Sequence, residues 1–145
     1  MEMYAITALD RASTLRINMI VNFIFANQVG SEDTKNNIYR SVEYALSPYK
    51  YQGGFVLLAE KNKSILGSVV INRTNMEGYV PKNLMVYLAA DPNSAIPDFE
   101  KTLLSKVIQL TSSEVACHIT VDNPAMKIFE DVGFKKNLFE MRLKR

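Results

Sequence analysis

The chain has 145 residues, of which 48% are apolar and 22% are charged, and its formal net charge is +2. This length predicts a single domain over residues 1–145 with one hydrophobic core, and so small a charge argues against nucleic acid or an anionic membrane as a partner. One cysteine cannot form an internal disulfide, no apolar run is long enough to span a bilayer, and the N-terminus lacks the basic region of a secretory signal. We therefore expect a cytoplasmic protein.

The N-terminal part of the chain predicts a short strand followed by two helices. Residues 4–9 form the strand, and Asp10 can cap a helix predicted over 11–28. A second helix is predicted over 31–46, where an apolar stripe recurs at helical spacing before Pro48. The first helix is apolar nearly all round, which indicates that it is either sandwiched inside the protein or faces a partner, including a second copy in a homodimer.

The rest of the chain predicts a β-hairpin followed by alternating strands and helices. Two apolar, β-branched runs at 55–60 and 65–73 are separated by the polar turn KNKS. A further strand is predicted over 83–90, a helix over 97–110 and a strand over 114–121. Antiparallel strands followed by a strand–helix–strand unit predict a mixed sheet with helices on both faces.

The stretch NPAMKIFEDVGF at residues 123–134 is the most informative motif. Its apolar residues recur at helical spacing, Gly133 takes the position that stops a helix, and Phe134 packs after it. Together with the strand, loop, helix and strand before it, the motif resembles the C-terminal end of the GNAT superfamily of N-acetyltransferases. The resemblance implies an α/β (α+β) fold with a mixed, mostly antiparallel central sheet of six to seven strands and helices on both faces. It also implies transfer of an acetyl group from acetyl-CoA, as co-substrate, to an amine, with no metal.

The resemblance places the loop that binds the pyrophosphate of acyl-CoA after the fourth strand. In the family this loop reads Gln/Arg-x-x-Gly-x-Gly/Ala, and bare backbone N–H groups at a helix N-terminus bind the phosphates. The six matching positions are Ala95, Ile96, Pro97, Asp98, Phe99 and Glu100. Acids therefore stand where the family has glycines, and a carboxylate about 4 Å from a phosphate opposes binding by roughly 1 kcal/mol in water. The same proline and acids are also ordinary features of a helix N-terminus.

The resemblance further implies that backbone groups of the fourth strand, at Leu88, Ala89 and Ala90, bind the acyl carbonyl and the pantetheine arm. This role depends on the fold rather than on side chains. In the family, the acid that protonates the departing thiolate is a tyrosine in the last helix, and the matching residue is Phe129, which cannot donate a proton. Phe129 also lies on the apolar stripe of its helix, which predicts a place in the core.

His118, the only histidine, is the candidate general base, because an unperturbed imidazole titrates near neutral pH. The alternative is a strand residue that faces solvent or a neighbouring helix. Asn123 matches a family asparagine that contacts the CoA arm, and it can also cap the helix that follows. Tyr87 lies beside the expected carbonyl site and, with Glu60 and Glu77, could line the acceptor side.

Three functions are compatible with these residues. The first is an acyl-CoA-dependent N-acyltransferase, in which a small-molecule or peptide amine attacks the thioester directly. The second is a non-catalytic binding or assembly module with the GNAT fold that has lost CoA binding. The third is a sensor that binds CoA or another nucleotide without chemistry. The loop at 95–100 and Phe129 are the features that discriminate between the first two.

Overall fold

The structure is a computed structural model that describes residues 1–76 and 78–145. Its elements in chain order are β1 (Glu2–Ile6), a 3-10 turn (Ala8–Asp10), α1 (Thr14–Ala26), α2 (Lys35–Ala45), β2 (Gly54–Lys61), β3 (Ser64–Arg73), β4 (Asn83–Ala90), α3 (Phe99–Leu110), β5 (Val115–Cys117) and α4 (Met126–Asp131). Each helix and strand predicted from the sequence is therefore present; β4 has the predicted limits, and the limits of most other elements are shifted.

The described strands form one sheet in the order β1-β2-β3-β4-β5. Neighbours from β1 to β4 pair antiparallel, whereas β5 pairs parallel to β4. This confirms the mixed, mostly antiparallel sheet, but the expected six to seven strands are five in the part of the chain that the structure describes. Beyond α4, the alternating side chains of Phe139, Met141 and Leu143 are 91%, 94% and 78% exposed. No neighbouring strand buries them, so this segment adds nothing to the sheet.

Helices cover both faces of the sheet, as predicted, and each face has its own core. On one face, Ile24 of α1 and Val42 of α2 pack in the same cluster as Val70 of β3. On the other face, Leu103 of α3 packs in the cluster that contains Ile71 of β3. Because strand side chains alternate between faces, the neighbours Val70 and Ile71 belong to different cores. The sheet is thus buried on both sides.

The first two helices begin later than the apolar pattern indicated. Ser13 and Thr34 are the N-caps of α1 and α2, and each hydroxyl accepts a hydrogen bond from a backbone N–H three residues further on, at 3.1 Å and 3.2 Å. Asp10 does not cap α1, because its carboxylate accepts from the Thr7 N–H in the capping box of the 3-10 turn. Residues 31–34 consequently belong to the connection between the helices, where polar caps override the apolar period.

The outer face of α1 remains apolar and exposed. Leu15, Met19 and Phe25 are 71%, 45% and 44% exposed, and a contact of this face with a second copy stays a prediction. None of the described helices combines the length and the hydropathy needed to cross a bilayer. Among the described residues there is also no group of three or more His, Cys, Asp or Glu side chains arranged to hold a metal ion.

Candidate active site

β4 and β5 pair over only a short distance, and the space between them is the candidate active site. Their pairing ends at Met85 and Cys117. A β-bulge makes Val86 an extra residue of β4 with no partner in the register of β3. Beyond it, residues 86–88 of β4 and residues 118–119 after β5 no longer pair, and the space that they line is termed here the β4–β5 cleft.

Beyond its pairing with β5, the edge of β4 is hydrogen-bonded to the connection between α1 and α2, residues 27–34, termed here the α1–α2 loop. The Val29 N–H donates to Leu88 O at 2.9 Å, and the Ala90 N–H donates to Asn27 O at 3.1 Å. These atoms belong to the three-residue segment that was predicted to bind the pantetheine arm. In this conformation the loop therefore takes the place that the resemblance assigns to that arm.

Gln28 holds the α1–α2 loop in this shape. Its backbone forms an antiparallel bridge with Ala89. Its side-chain Oε1 accepts from Ser31 Oγ at 2.7 Å and from the Asp33 N–H at 2.8 Å, while Nε2 donates to Asp33 O at 3.0 Å. One side chain thus makes three hydrogen bonds within the loop, so the loop is an ordered element rather than a loose connection between helices.

Tyr87 is bonded to the same loop. Its hydroxyl donates to Asp33 Oδ2 at 2.6 Å, and the residue is only 6% exposed. Burial, and then the hydrogen bond to Asp33, raises the pKa of Tyr87 above its ordinary value. Burial alone would raise the pKa of Asp33, but hydrogen bonds from Tyr87, Asn37 and the Thr34 N–H outweigh it and lower that pKa. The pair is therefore a neutral hydroxyl that donates to an ionised carboxylate.

Phe129 of α4 also lines the cleft, and the turn before α4 contacts the α1–α2 loop. Asn123 Oδ1 accepts from the Ala125 N–H at 2.9 Å within the turn, and Nδ2 donates to Gly30 O at 3.0 Å. The amide therefore binds the α1–α2 loop. The predicted capping role is not seen, because α4 begins at Met126 with Ala125 at its N-cap position and no side-chain cap. Phe129 is buried in the core, as its position on the apolar stripe predicted, with its ring edge-on to Phe134 at 5.6 Å between centroids.

The α1–α2 loop leaves little free space in the β4–β5 cleft. The remaining volume is about 20 Å³, which is room for about one water molecule. The residues around it come from the loop, β4, β5 and α4: Val29, Gly30, Ser31, Met85, Val86, Tyr87, Leu88, Cys117, His118, Ile119 and Phe129. No ligand arm fits beside the loop in this conformation.

His118 and Cys117 lie at the β5 side of the cleft. The expected strand over 114–121 is shorter than predicted, so His118 follows β5 rather than lying within it. Its side chain is 69% exposed, and Nδ1 lies 4.0 Å from Glu140 Oε1. Burial raises the pKa of the Cys117 thiol to about 11, so this sulfur is protonated at neutral pH and is a poor nucleophile.

In the predicted pyrophosphate loop, the backbone at two positions adopts a conformation that glycine favours, although neither residue is a glycine. Asp98 has φ 50° and ψ 38°, in the left-handed region, and its side chain does not cap α3. Ala95 has φ 58°. Glycine adopts this region without steric cost, so the geometry at Asp98 is the one that a glycine would favour. Phe99 and Ile96 pack into the core, and Glu100 lies in the first turn of α3.

Two further acidic residues were expected near the acceptor. Glu60 does not line the β4–β5 cleft: it lies at the end of β2, where it accepts hydrogen bonds from Arg16, at 2.8 Å, and from the Tyr4 hydroxyl. Burial raises the pKa of Glu60, but these two hydrogen bonds outweigh that effect and lower it. Its carboxylate is therefore engaged on the β1 side of the sheet. Glu77 lies outside the described residues.

The residues of this conformation do not fit acyl-CoA. The β4 edge is already bonded to Val29 and Asn27, and the cleft has no room for a pantetheine arm. Asp98, whose side chain is 78% exposed, lies at the N-cap position of α3, and Glu100 lies in the first turn. Each of these carboxylates opposes a phosphate. A fit requires that the α1–α2 loop leaves β4.

Solved structures with the same fold are N-acetyltransferases. The aminoglycoside 6'-N-acetyltransferase AAC(6')-IG from Acinetobacter haemolyticus is 14% identical with a TM-score of 0.64, and the match covers 100% of this chain and 98% of that one. AAC(6')-Iy in complex with CoA is 10% identical with a TM-score of 0.66, over 99% of this chain and 93% of that one. Tetrahymena GCN5 is 17% identical with a TM-score of 0.64, and the match covers 100% of this chain and 84% of that one.

These similarities show that the chain has the GNAT fold over its full length. At identities of 10–17% they concern the fold alone. No family model matches the sequence, and no curated protein matches it.

The element that sequence reasoning missed is the α1–α2 loop. Its polar residues after Gly30 indicate a connection between two helices, and Gln28 and Asp33 carry no pattern that points to β4. The contact between the loop and β4 is a pairing across 61 positions, from Gln28 to Ala89, so only the folded chain reveals it.

Proposed function

We propose that the protein is a GNAT-type N-acyltransferase that takes an acyl group from acetyl-CoA, and that its β4–β5 cleft opens when the α1–α2 loop leaves β4. The observation that supports this most directly is the early end of strand pairing at Met85 and Cys117, combined with the bulge at Val86. A continuous parallel pair would satisfy the whole edge of β4. Its interruption leaves backbone donors and acceptors along a cleft that suits an extended, amide-containing ligand.

Departure of the loop would free several groups at once. Leu88 O and the Ala90 N–H would lose their partners in the loop, and the Tyr87 hydroxyl would lose Asp33. Because the N–H and C=O of one strand residue point to the same side, the Leu88 N–H also faces the cleft and can donate to an acyl oxygen. The loop and the ligand would therefore compete for the same edge of β4.

The chain offers candidates for both proton transfers. Acetyl-CoA would supply the activated acyl thioester, and the acceptor would be a small-molecule or peptide amine. His118 borders the cleft and is exposed, so it can take a proton from the amine directly or through water. Tyr87 keeps its proton at neutral pH with or without Asp33, because the ordinary pKa of a tyrosine hydroxyl is 10.0. Since Phe129 cannot donate, Tyr87 is the candidate for returning a proton to the thiolate.

A second candidate function is a non-catalytic module in which the α1–α2 loop fills the cleft permanently. The loop is fixed at two points, by Val29 to β4 and by the Asn123 amide to Gly30. The acids at Asp98 and Glu100 favour the same interpretation, because a site that no longer binds phosphate has no need of glycines there. Under this proposal the closed conformation is the functional one.

Calorimetric titration with acetyl-CoA and with CoA, at low and moderate salt, distinguishes the two functions. The decisive variant is Gln28→Ala, which removes three loop hydrogen bonds without altering β4. A net loss of about 1–1.5 kcal/mol from the closed loop corresponds to roughly tenfold tighter binding of acetyl-CoA. The matched control is Gln109→Ala on the exposed side of α3, where we expect no change.

The enzyme proposal predicts tighter binding in Gln28→Ala, and release of free CoA thiol when a panel of primary amines is added to the wild-type chain. His118→Gln should slow that release without weakening acetyl-CoA binding. If folded Gln28→Ala binds no acetyl-CoA up to about 10 mM, a Kd equivalent to only about −2.7 kcal/mol, the enzyme proposal is rejected and the non-catalytic module remains.

A further inference from the structure

A second cleft lies at the other end of the sheet, where β1 and β3 end and β2 begins. Its walls are the turn after β1, the connection from α2 to β2 and the end of β3, and its volume is about 690 Å³. Small-molecule sites usually enclose about 300–1,000 Å³. This second cleft shares no residue with the β4–β5 cleft, so nothing argued above about acyl transfer explains it.

The side chains of the second cleft give it a positive charge. Arg11, Lys50 and Arg73 line it, and none of its described lining residues is acidic; it is termed here the basic cleft. Among the described residues, no ion pair joins any of the three to a carboxylate. The neighbouring Asp10 carboxylate accepts from the Thr7 N–H at 2.7 Å. Three cations without a counter-ion among the described residues attract an anion, and two guanidinium groups provide paired donors for a phosphate or a carboxylate.

The floor of the basic cleft is fixed by hydrogen bonds. The Gly53 N–H donates to Tyr44 O at 3.0 Å, and the Arg73 N–H donates to Gly53 O at 2.8 Å. The Tyr44 hydroxyl lies 2.7 Å from Arg73 O and 3.0 Å from Tyr51 O. A Cβ at Gly53 would stand 3.6 Å from Arg73 Nη1, so this guanidinium lies next to the glycine. The backbone that carries Arg73 is thus ordered by hydrogen bonds.

Exposed aromatic rings accompany the cations. Tyr49 and Tyr51 line the basic cleft and are 73% and 69% exposed. Lys50 Nζ lies 5.1 Å from the centroid of the Tyr51 ring. Large exposed rings beside positive charges provide faces on which a planar ring can stack while its anionic group is bound.

We propose that the basic cleft binds a small ligand in which a phosphate or carboxylate is attached to a planar ring, as in a mononucleotide. Arg11, Arg73 and Lys50 bind the anionic group, and Tyr49 and Tyr51 contact the ring. The site is separate from the β4–β5 cleft, and its ligand is neither the acyl donor nor the amine acceptor proposed above.

Calorimetric titration of the full chain with AMP tests this proposal, with inorganic phosphate and adenosine as separate probes. We expect AMP to bind more tightly than either part alone. The double variant Arg11→Gln with Arg73→Gln should lower the AMP affinity at least about tenfold, as expected for losing charge-assisted, paired hydrogen bonds. Lys61→Gln with Lys136→Gln is the matched control, because it removes two exposed cations outside the cleft and should change the affinity less than about twofold.

A third variant, Tyr49→Ala with Tyr51→Ala, should weaken AMP binding and leave phosphate binding unchanged. The proposal is overturned if AMP does not bind at about 10 mM, if the arginine variant binds it unchanged, or if both lysine and arginine variants lose affinity equally. Acetyl-CoA also has a nucleotide end. Acetyl-CoA held by the basic cleft would respond to Arg11 and Arg73 but not to Gln28→Ala, so the two proposals fail separately.

Discussion

The two clefts of this protein differ in what satisfies their polar groups. In the β4–β5 cleft, backbone donors and acceptors of β4 are paired with residues 27–29 of the chain itself, and about 20 Å³ remains free. In the basic cleft, the cations Arg11, Lys50 and Arg73 face about 690 Å³ of open space without ionic partners in the described residues. One site is closed by the chain, and the other is open.

The difference follows from what each kind of group needs. An unpaired strand edge away from water costs free energy for every missing hydrogen bond, so the chain closes it with whatever segment can reach. An arginine or lysine head at a surface keeps its hydration and needs no protein partner. A ligand of the β4–β5 cleft must therefore compete with the chain's own loop for the edge of β4. A ligand of the basic cleft needs only a negative charge that its cations can bind. Substitutions in each cleft test this contrast.

Gly54→Ala should destabilise the protein by about 3 kcal/mol or more. Gly54 forms part of the basic cleft and has φ 134°, and a Cβ there would stand 2.0 Å from Ile71 O, a backbone atom of β3 that cannot move aside cheaply. Urea unfolding measures the loss. Gly78→Ala is the control: it also has a positive φ, 105°, but its Cβ would meet nothing within 4 Å, so it should lose only about 1–2 kcal/mol. Equal losses would show that the clash does not matter.

Tyr87→Phe should lower the free energy of unfolding by about 1–2 kcal/mol, because it removes a nearly buried hydroxyl that donates to the Asp33 carboxylate. A double-mutant cycle with Asp33→Asn isolates the pair and should give a clearly non-additive result. Tyr79→Phe, at a residue that is 80% exposed, should be neutral. Additive single variants would mean that the hydroxyl does not hold the loop on β4.

Acid should loosen the closed cleft before the open one. The pKa of Asp33 is lowered in the folded chain from an ordinary value of 3.8, so its contribution to stability is present above that pH and is lost as the pH falls through the folded pKa. Tyr87 acts in the opposite direction: its raised pKa gives stability that is lost only as the pH rises above its ordinary value of 10.0. Hydrogen-exchange protection of the Val29 and Ala90 amides should therefore fall below about pH 4.

The comparison amide for this experiment is that of Arg73, which donates to Gly53 O in the basic cleft. It should keep its protection factor over the same pH range, and Asp33→Asn should remove the pH dependence at Val29. Parallel loss of protection at Val29 and Arg73 would instead indicate global unfolding, and would contradict a local role for Asp33.

Asp98→Gly should have the smallest effect. Glycine relieves the left-handed backbone at this position but loses more chain entropy, so stability should change by less than about 1 kcal/mol. Removing a carboxylate that is 78% exposed should improve acetyl-CoA affinity only about two- to fivefold, since water and salt screen the charge. Glu43→Gln, an exposed acid on α2, is the control for net charge. Unchanged affinity in a folded Asp98→Gly chain would show that this acid does not repel the ligand.

The sequence predicted most of the fold because its signals are local. The KNKS turn between two β-branched runs predicted the hairpin of β2 and β3, and the spacing before Gly133 predicted the short helix α4 with Phe129 in the core. The predicted starts of α1 and α2 were wrong, because Ser13 and Thr34 cap these helices through single hydrogen bonds. Such caps produce no periodic pattern of apolar residues in the sequence. The family resemblance overestimated the strand count, because the described residues after α4 form no strand and Phe139 and Met141 remain 91% and 94% exposed.

Local signals in the sequence are enough to give the order of elements, the placement of Leu88 to Ala90 on the strand that borders the candidate site, and the acidic character of the loop at Asp98. What occupies the edge of that strand depends on the folded chain. The bonds from Val29 to Leu88 and from Tyr87 to Asp33 join positions more than 50 residues apart. Arg11 and Arg73 likewise line the same cleft only because folding brings the turn after β1 next to the end of β3. Periodicity fixes which face of an element is buried, whereas long-range contacts depend on how all the elements pack at once.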